Sequence, residues 1–161
     1  MAKSLRISIL LIVLSFCSLH ISAQTSKYKC LLQLTNYTGK GAYIVLSLIN
    51  PNGEYEKTLY VIGDDNKWYN TLTEWFEFYS KDQNTVDGLT GATISGGDRS
   101  IINFELEDAK LNNGYKLRFE TAVESQEYHQ SDVEVPLKNE SLAQKSEGKG
   151  YIRYVRFSKN D

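Results

Sequence analysis

Residues 42–50, AYIVLSLIN, are almost uninterruptedly apolar, and Pro51-Asn52-Gly53 follows at once. A run of this length, closed by a turn signal, is expected as a strand in the middle of a sheet. Asn-Gly suits the positive φ of a tight turn, so the next run, EYEKTLYVIG at 54–63, is expected to complete a hairpin. A central strand needs neighbours on both sides, and the remaining runs are the candidates. KYKCLLQLT at 27–35 alternates at its start. Ile102, Phe104 and Leu106 alternate with Asn103, Glu105 and Glu107. Beyond the turn at Asn112-Asn113-Gly114, Tyr115, Leu117 and Phe119 alternate with Lys116, Arg118 and Glu120. These two runs look like a second hairpin with one wet face. DVEVPL carries Pro136, which suits an edge strand. Residues 137–150 are polar and loop-like, and YIRYVRFSK at 151–159 is the last strand.

About seven short strands separated by turns predict a mainly β fold, an antiparallel β-sandwich of immunoglobulin-like class. One segment breaks the period. Asp64-Asp65-Asn66 offers side-chain oxygens for a helix N-cap, and Trp68, Leu72, Trp75 and Tyr79 follow at spacings of four, three and four. Phe76 widens the stripe. The spacing predicts an amphipathic helix over 67–80, inserted between the third and fourth strands, with its aromatic face packed on a sheet. If Trp75 or Tyr79 lies at the rim of that face, it can also stack on a flat ring system.

The N-terminus bounds the compartment. Lys3 and Arg6 precede an apolar run from Ile7 to Phe16, and Ser22-Ala23 supplies small residues before Gln24. That is the pattern of a secretory signal peptide, residues 1–23, cleaved after Ala23. The run is shorter than the about 20 residues that span a bilayer. Residues 24–161 then form a single secreted domain, and the periplasm is the expected location. The chain has 18 basic and 20 acidic residues, with two of the basic ones in the leader. A mildly acidic, mixed-charge surface argues against nucleic acid as a partner. Beyond the leader only Cys30 and His129 remain of their kinds. Cys30 alternates with Leu32 and Leu34 and is expected inside as a small hydrophobe, and no intramolecular disulfide is possible. One Cys and one His make no recognisable zinc site. A secreted hydrolase would have to be built on His129 alone, in the polar run ESQEYHQSD.

Between helix and fourth strand lies a loop of about eighteen residues, long for a compact domain and of the length that is usually functional or disordered. It contains VDGLTGATISGGDR, residues 86–99, with four glycines. Gly88 and Gly91 with Ala92 clear space around Thr93, a hydroxyl that something large can approach. Asp87 supplies a carboxylate six residues upstream. The stretch lacks the Gly-Lys-Ser/Thr of a P-loop, and no strand precedes its glycines as a dinucleotide-binding fingerprint requires. An EF-hand is excluded too, because its alternating carboxylates are missing. The second half, ISGGDR, is expected to be a flexible return to the next strand.

Asp87-Gly88-Leu89-Thr90-Gly91-Ala92-Thr93, DGLTGAT, resembles the acceptor motif for covalent flavin attachment: Asp, two spacers, Ser or Thr, a small residue, then Ala-Thr. It is similar to the motif of FMN-binding domains such as the C subunit of the sodium-pumping NADH:quinone reductase and the G subunit of the Rnf complex. The resemblance implies that a periplasmic flavin transferase takes FMN from FAD, with magnesium, and esterifies the FMN phosphate onto Thr93. Asp87, Thr90, Gly91 and Ala92 are the other matching positions, with Gly88 among the spacers. Trp68, Leu72 and Trp75 ahead of the motif extend the likeness. They resemble a family of predicted periplasmic proteins catalogued as a domain of unknown function and associated with flavinylated extracytoplasmic electron transfer. After the loop the match weakens, since Asn103-Phe104-Glu105 stands where that family often carries Trp and Asp-Gly features. The implied protein is a redox carrier with a membrane-bound redox partner, more than a self-contained enzyme. The alternative from the residues alone is a secreted β-sandwich binding module with no cofactor, acting through its loops.

Overall fold

The structure, a computed structural model, describes residues 24–81 and 92–160. The signal-peptide expectation over 1–23 therefore lies outside the described residues. Eight strands follow the chain: β1 (Thr25–Leu34), β2 (Tyr43–Ile49), β3 (Tyr55–Ile62), β4 (Arg99–Glu107), β5 (Lys116–Ala122), β6 (Tyr128–Pro136), β7 (Lys145–Glu147) and β8 (Ile152–Lys159). They form two four-stranded sheets, ordered β4-β1-β8-β7 and β3-β2-β5-β6, with every pairing antiparallel. The two sheets pack into a β-sandwich, the architecture that immunoglobulin-like domains share. The core between them is built from alternate residues, such as Cys30, Leu32 and Leu34 of β1, Ile44, Leu46 and Leu48 of β2, and Phe119 of β5. Cys30 is fully buried, and burial pushes its thiol up to about 12. It is a core residue with no thiolate at neutral pH.

The expected hairpin of β2 and β3 is present. The second expected hairpin is not. β4 pairs with β1 in one sheet, whereas β5 lies between β2 and β6 in the other. Alternation fixes which side of a strand faces inward but not which strand lies beside it. A 3-10 turn at Asp108–Lys110 begins the crossing between sheets, and Leu111 and Tyr115 pack on the core along the way. β6 is an edge strand, as Pro136 implied. The polar segment 137–150 is more ordered than expected. It holds a short helix (Asn139–Leu142), with Leu142 buried, and the strand β7. Asp132 of β6 fixes the next loop. Its carboxylate accepts from the Thr121 hydroxyl at 2.7 Å and from the backbone N–H groups of Lys149, Gly150 and Ile152 at 2.8–2.9 Å.

All seven residues of β2 are buried. Its second face, with Tyr43 and Val45, points away from the sandwich and packs with Val61 and Ala122 beneath the inserted helical segment. That segment is not one helix over 67–80. A 3-10 turn (Asn66–Thr71) runs into helix α1 (Thr73–Tyr79), with a break at Leu72, φ −91° and ψ 66°. Asp65 caps the start, accepting from the Lys67 N–H at 3.2 Å. The break changes which aromatic goes inward. Three residues per turn put Tyr69 and Leu72 on one side. Tyr69, Leu72 and Trp75 are thus buried, while Trp68 stays half-exposed beneath the Lys67 ammonium.

A polar bond ties this lid to the sheet, and a buried carboxylate lies beneath it. Trp75 Nε1 donates to Thr58 Oγ1 of β3 at 2.9 Å. Glu120 of β5, expected on a wet face, is buried beneath the lid because the helix covers that side of the sheet. Its carboxylate accepts from the Tyr55 hydroxyl at 2.6 Å and the Tyr128 hydroxyl at 2.5 Å. Burial raises the Glu120 carboxyl to about 7, outweighing the two hydroxyls and Arg118, which favour the anion. Trp75→Ala should cost roughly 3–5 kcal/mol in urea unfolding, since it empties a fully buried indole site and orphans the Thr58 hydroxyl. The pH dependence has a defined sign. A carboxyl raised above its ordinary 4.5 favours the folded protein while protonated. That contribution is complete below about pH 4.5 and lost as pH rises through about 7. Glu120→Gln should flatten the fall in stability between about pH 5 and 8, read from urea midpoints across that range.

Candidate functional site

Thr93 and the residues after it are seated at one end of the sandwich, against the connection from β1 to β2. The Thr93 side chain is half-buried and lies on Gly41, where a Cβ would come within 2.2 Å of Thr93 Oγ1. The seat exists because residue 41 has no side chain. Ala92 before it is exposed. Ile94 follows at once and is buried, forming a bridge with Ala42 through Ala42 N–H to Ile94 C=O at 2.7 Å and the reciprocal bond at 3.3 Å. The Tyr37 hydroxyl donates to the same Ile94 carbonyl at 2.8 Å.

ISGGDR is therefore not a flexible return. Gly97 N–H donates to Thr35 C=O at 2.8 Å, and Leu34 N–H to Asp98 C=O at 3.0 Å. The Gln33 amide donates to Gly97 C=O at 2.8 Å and accepts from Arg99 Nε. A Cβ at Gly96 would lie 2.1 Å from the Tyr37 carbonyl oxygen. The glycine there allows two backbones to touch, which composition alone cannot distinguish from a need for flexibility.

Around this end stands a short aromatic row. Tyr37 meets Tyr151 edge-on at 4.9 Å between centroids, and Tyr151 meets His129 edge-on at 5.0 Å. His129 lies at the start of edge strand β6, half-buried beside Tyr151, where a Cβ at Gly150 would reach its ring at 2.3 Å. A packed structural ring explains its place. Among the described residues, no three of His, Cys, Asp and Glu gather as a metal site.

Of the residues singled out from sequence, Ala92 and Thr93 belong to this seat, while Asp87, Gly88, Thr90 and Gly91 lie outside the described residues. Trp75 is corrected. It is fully buried, because its indole fills the space between helix and sheet, so it has no rim face for a flat ring. Tyr79 stacks on Trp75 at 4.9 Å and 19° and is half-buried at the edge of that cluster. The two aromatic groups are separate. Trp75 and Tyr79 cover the outer face of β2, and Tyr37 with Tyr151 stands by Thr93. Sequence reasoning missed Gly41, Tyr37 and Gln33. Only the GKGA run at 39–42 hinted that a close approach was being accommodated there.

The seat holds a half-buried threonine on a fixed stem. The Thr93 side chain has its hydroxyl against Gly41, and the small Ala92 before it is exposed. Gly41→Ala should displace Thr93. It should perturb the Thr93 and Ile94 amide resonances and cost on the order of 1–3 kcal/mol in thermal unfolding.

The model of a family described as predicted periplasmic protein (DUF2271) matches residues 25–154, from β1 into β8. No match is found among curated proteins or among solved structures.

Proposed function

We propose that this chain, which belongs to the DUF2271 family of predicted periplasmic proteins, is an extracytoplasmic electron carrier with FMN esterified to Thr93. The observation that carries the reading is the seat of Thr93 on Gly41, one residue before the Ala42–Ile94 bridge, at the end of a sequence that resembles the flavin acceptor motif. A modifying enzyme needs a hydroxyl it can reach, and a carrier needs that hydroxyl fixed to the body of the protein. The partial exposure of Thr93 and its place beside the Ala42–Ile94 bridge support both.

The attachment balances as a phosphoryl transfer. A periplasmic flavin transferase, with magnesium, brings FAD. Thr93 Oγ1 attacks the phosphorus on the flavin side of the pyrophosphate. The new P–O bond forms as the bond to AMP breaks, and the threonine proton leaves to a base of the transferase. The cofactor supplies the redox chemistry once bound. This chain's residues do the rest. Gly41 makes room for Thr93, Ile94 and Tyr37 hold the stem, and Ala92 leaves the approach open. Tyr79 is half-buried, as are Trp68, Phe76 and Phe78, whereas the fully buried Trp75 offers no face to a flat ring. A membrane-bound redox partner is the proposed source or sink of electrons.

Co-expression with a periplasmic flavin transferase should give a yellow protein whose Thr93 peptide carries FMN less one water by mass spectrometry. Thr93→Ala should lose the adduct entirely while changing stability by less than about 1 kcal/mol. An unmodified Thr93 peptide from the co-expressed protein would refute the reading.

A further inference from the structure

The two sheets present opposite outer faces. One is covered by the helical lid. The other, on β4-β1-β8-β7, is open and carries cations that are neutralised only in part among the described residues. Register brings it together across the strands. Lys145 lies opposite Arg156, Arg156 opposite Leu31, and Leu31 opposite Ile101. In the adjacent row Gln33 lies between Tyr154 and Arg99. Lys29 completes the frame two residues before Leu31 on the same strand face. The result is an apolar pair, Leu31 and Ile101, flanked by Lys29, Arg99 and Arg156, with Lys145 beyond Arg156 on edge strand β7. Ile101, 55% exposed, is the one large hydrophobic side chain that stands out in solvent among the described residues.

This arrangement works against the fold's own stability. Like charges directly opposite on neighbouring strands repel, and Lys145 and Arg156 are such a pair. Lys145 reaches Glu147 at 3.0 Å, and Arg99 is engaged by Gln33. The side chains of Lys29 and Arg156 have neither an ion pair nor a hydrogen bond among the described residues. A sheet face with an apolar pair, flanking cations and the unspent guanidinium of Arg156 is suited to a partner with carboxylates around an apolar patch.

We infer that the open β4-β1-β8-β7 face docks a partner protein through an acidic surface complementary to Lys29, Arg99, Lys145 and Arg156, with Leu31 and Ile101 at the contact centre. A protein surface is favoured over a lipid one by the carboxylates that border the cations. Glu147 beside Lys145 and Glu105 beside Lys27 interleave the two signs, and a protein can set its carboxylates opposite the cations alone, which an evenly anionic membrane cannot. A single exposed isoleucine on a flat sheet also lacks the inserted apolar stripe of interfacial membrane binders. A contact this small, steered by charge, is of the weak and salt-sensitive class.

The face adjoins the candidate site. Gln33, in its second row, holds the carbonyl of Gly97, and Arg99 ends the fixed segment that begins at Ile94. The docking surface stands on register and charge alone. Its use for electron exchange rests on the flavin reading.

The test keeps the two apart by using the full secreted chain with Thr93→Ala, isotopically labelled for amide NMR. The probe is the soluble haem domain of cytochrome b5, an acidic electron-transfer protein. At low salt it should shift amides of β1, β4 and β8 around Leu31, Ile101 and Arg156, saturably. Binding should weaken at least about tenfold at roughly 0.3 M salt. Lys29→Glu with Arg156→Glu should weaken it at least about tenfold at low salt while leaving the remaining amide spectrum, and so the fold, in place. Ile101→Ser, which leaves the charges, should weaken it by a smaller factor. The inference is overturned if no shifts appear, if they map to the helix-covered face, or if the charge reversal leaves affinity unchanged. It is also overturned if vesicles of phosphatidylcholine with phosphatidylglycerol bind the face and cytochrome b5 does not. None of these results bears on the mass of the Thr93 peptide, so the flavin reading stands or falls separately.

Discussion

Strand β2 is apolar on both faces, and one layer of sheet cannot cover both. The sandwich core takes Ile44, Leu46 and Leu48. The other side, with Tyr43 and Val45, needs a second cover, which among the described residues the 3-10 turn and helix after β3 supply. Burying that side also buries what lies beside it. Thr58 and Glu120 lose water and find Trp75 Nε1 and the hydroxyls of Tyr55 and Tyr128 instead. The aromatic lid is thus a requirement of the strand beneath it, and its inner rings are committed to packing. Covering one sheet also makes the molecule two-sided, because no second helical segment of comparable size exists for the other sheet among the described residues.

The candidate site is built differently, from backbone. Between Thr93 and β4, the chain is tied to the β1 end by carbonyl and amide contacts and by the Gln33 side chain, with glycines where two backbones must touch. Such a seat depends little on the identity of bulky neighbours and strongly on the absence of a Cβ at residues 41 and 96. This makes the end of the sandwich a stiff platform for one hydroxyl.

Much of the fold was legible because it depends on local pattern. The length and hydrophobicity of 42–50 marked a central strand, Asp65 marked a cap, Pro136 marked an edge, and the alternation around Cys30 marked it as core. What escaped depends on neighbours that alternation does not encode. β4 and β5 carry the same pattern and were paired with each other, yet each joins a different sheet. Glu120 alternates like a solvated residue and is buried only because a distant helix lies over it. Trp68 and Tyr69 exchange places because a 3-10 turn advances by three residues, which the apolar spacing did not reveal. At the candidate site, the sequence singles out Thr93, whereas its seat on Gly41 was not legible, since the two are far apart in sequence. Asp87, Gly88, Thr90 and Gly91, legible as a motif, lie outside the described residues. The cations of the open face are scattered over four strands and become one group only when register is known.

The Ala42–Ile94 bridge has a consequence for anything that Thr93 carries. The bridge fixes the backbone one residue away, so a group esterified to this side chain would sweep a shell whose radius is set by the ester arm and not by the loop. Confinement of that kind corresponds to an effective concentration of about millimolar or more at this end of the molecule, by the arithmetic of short tethers. A docked partner would then meet the same local supply of cofactor however dilute the surrounding compartment becomes.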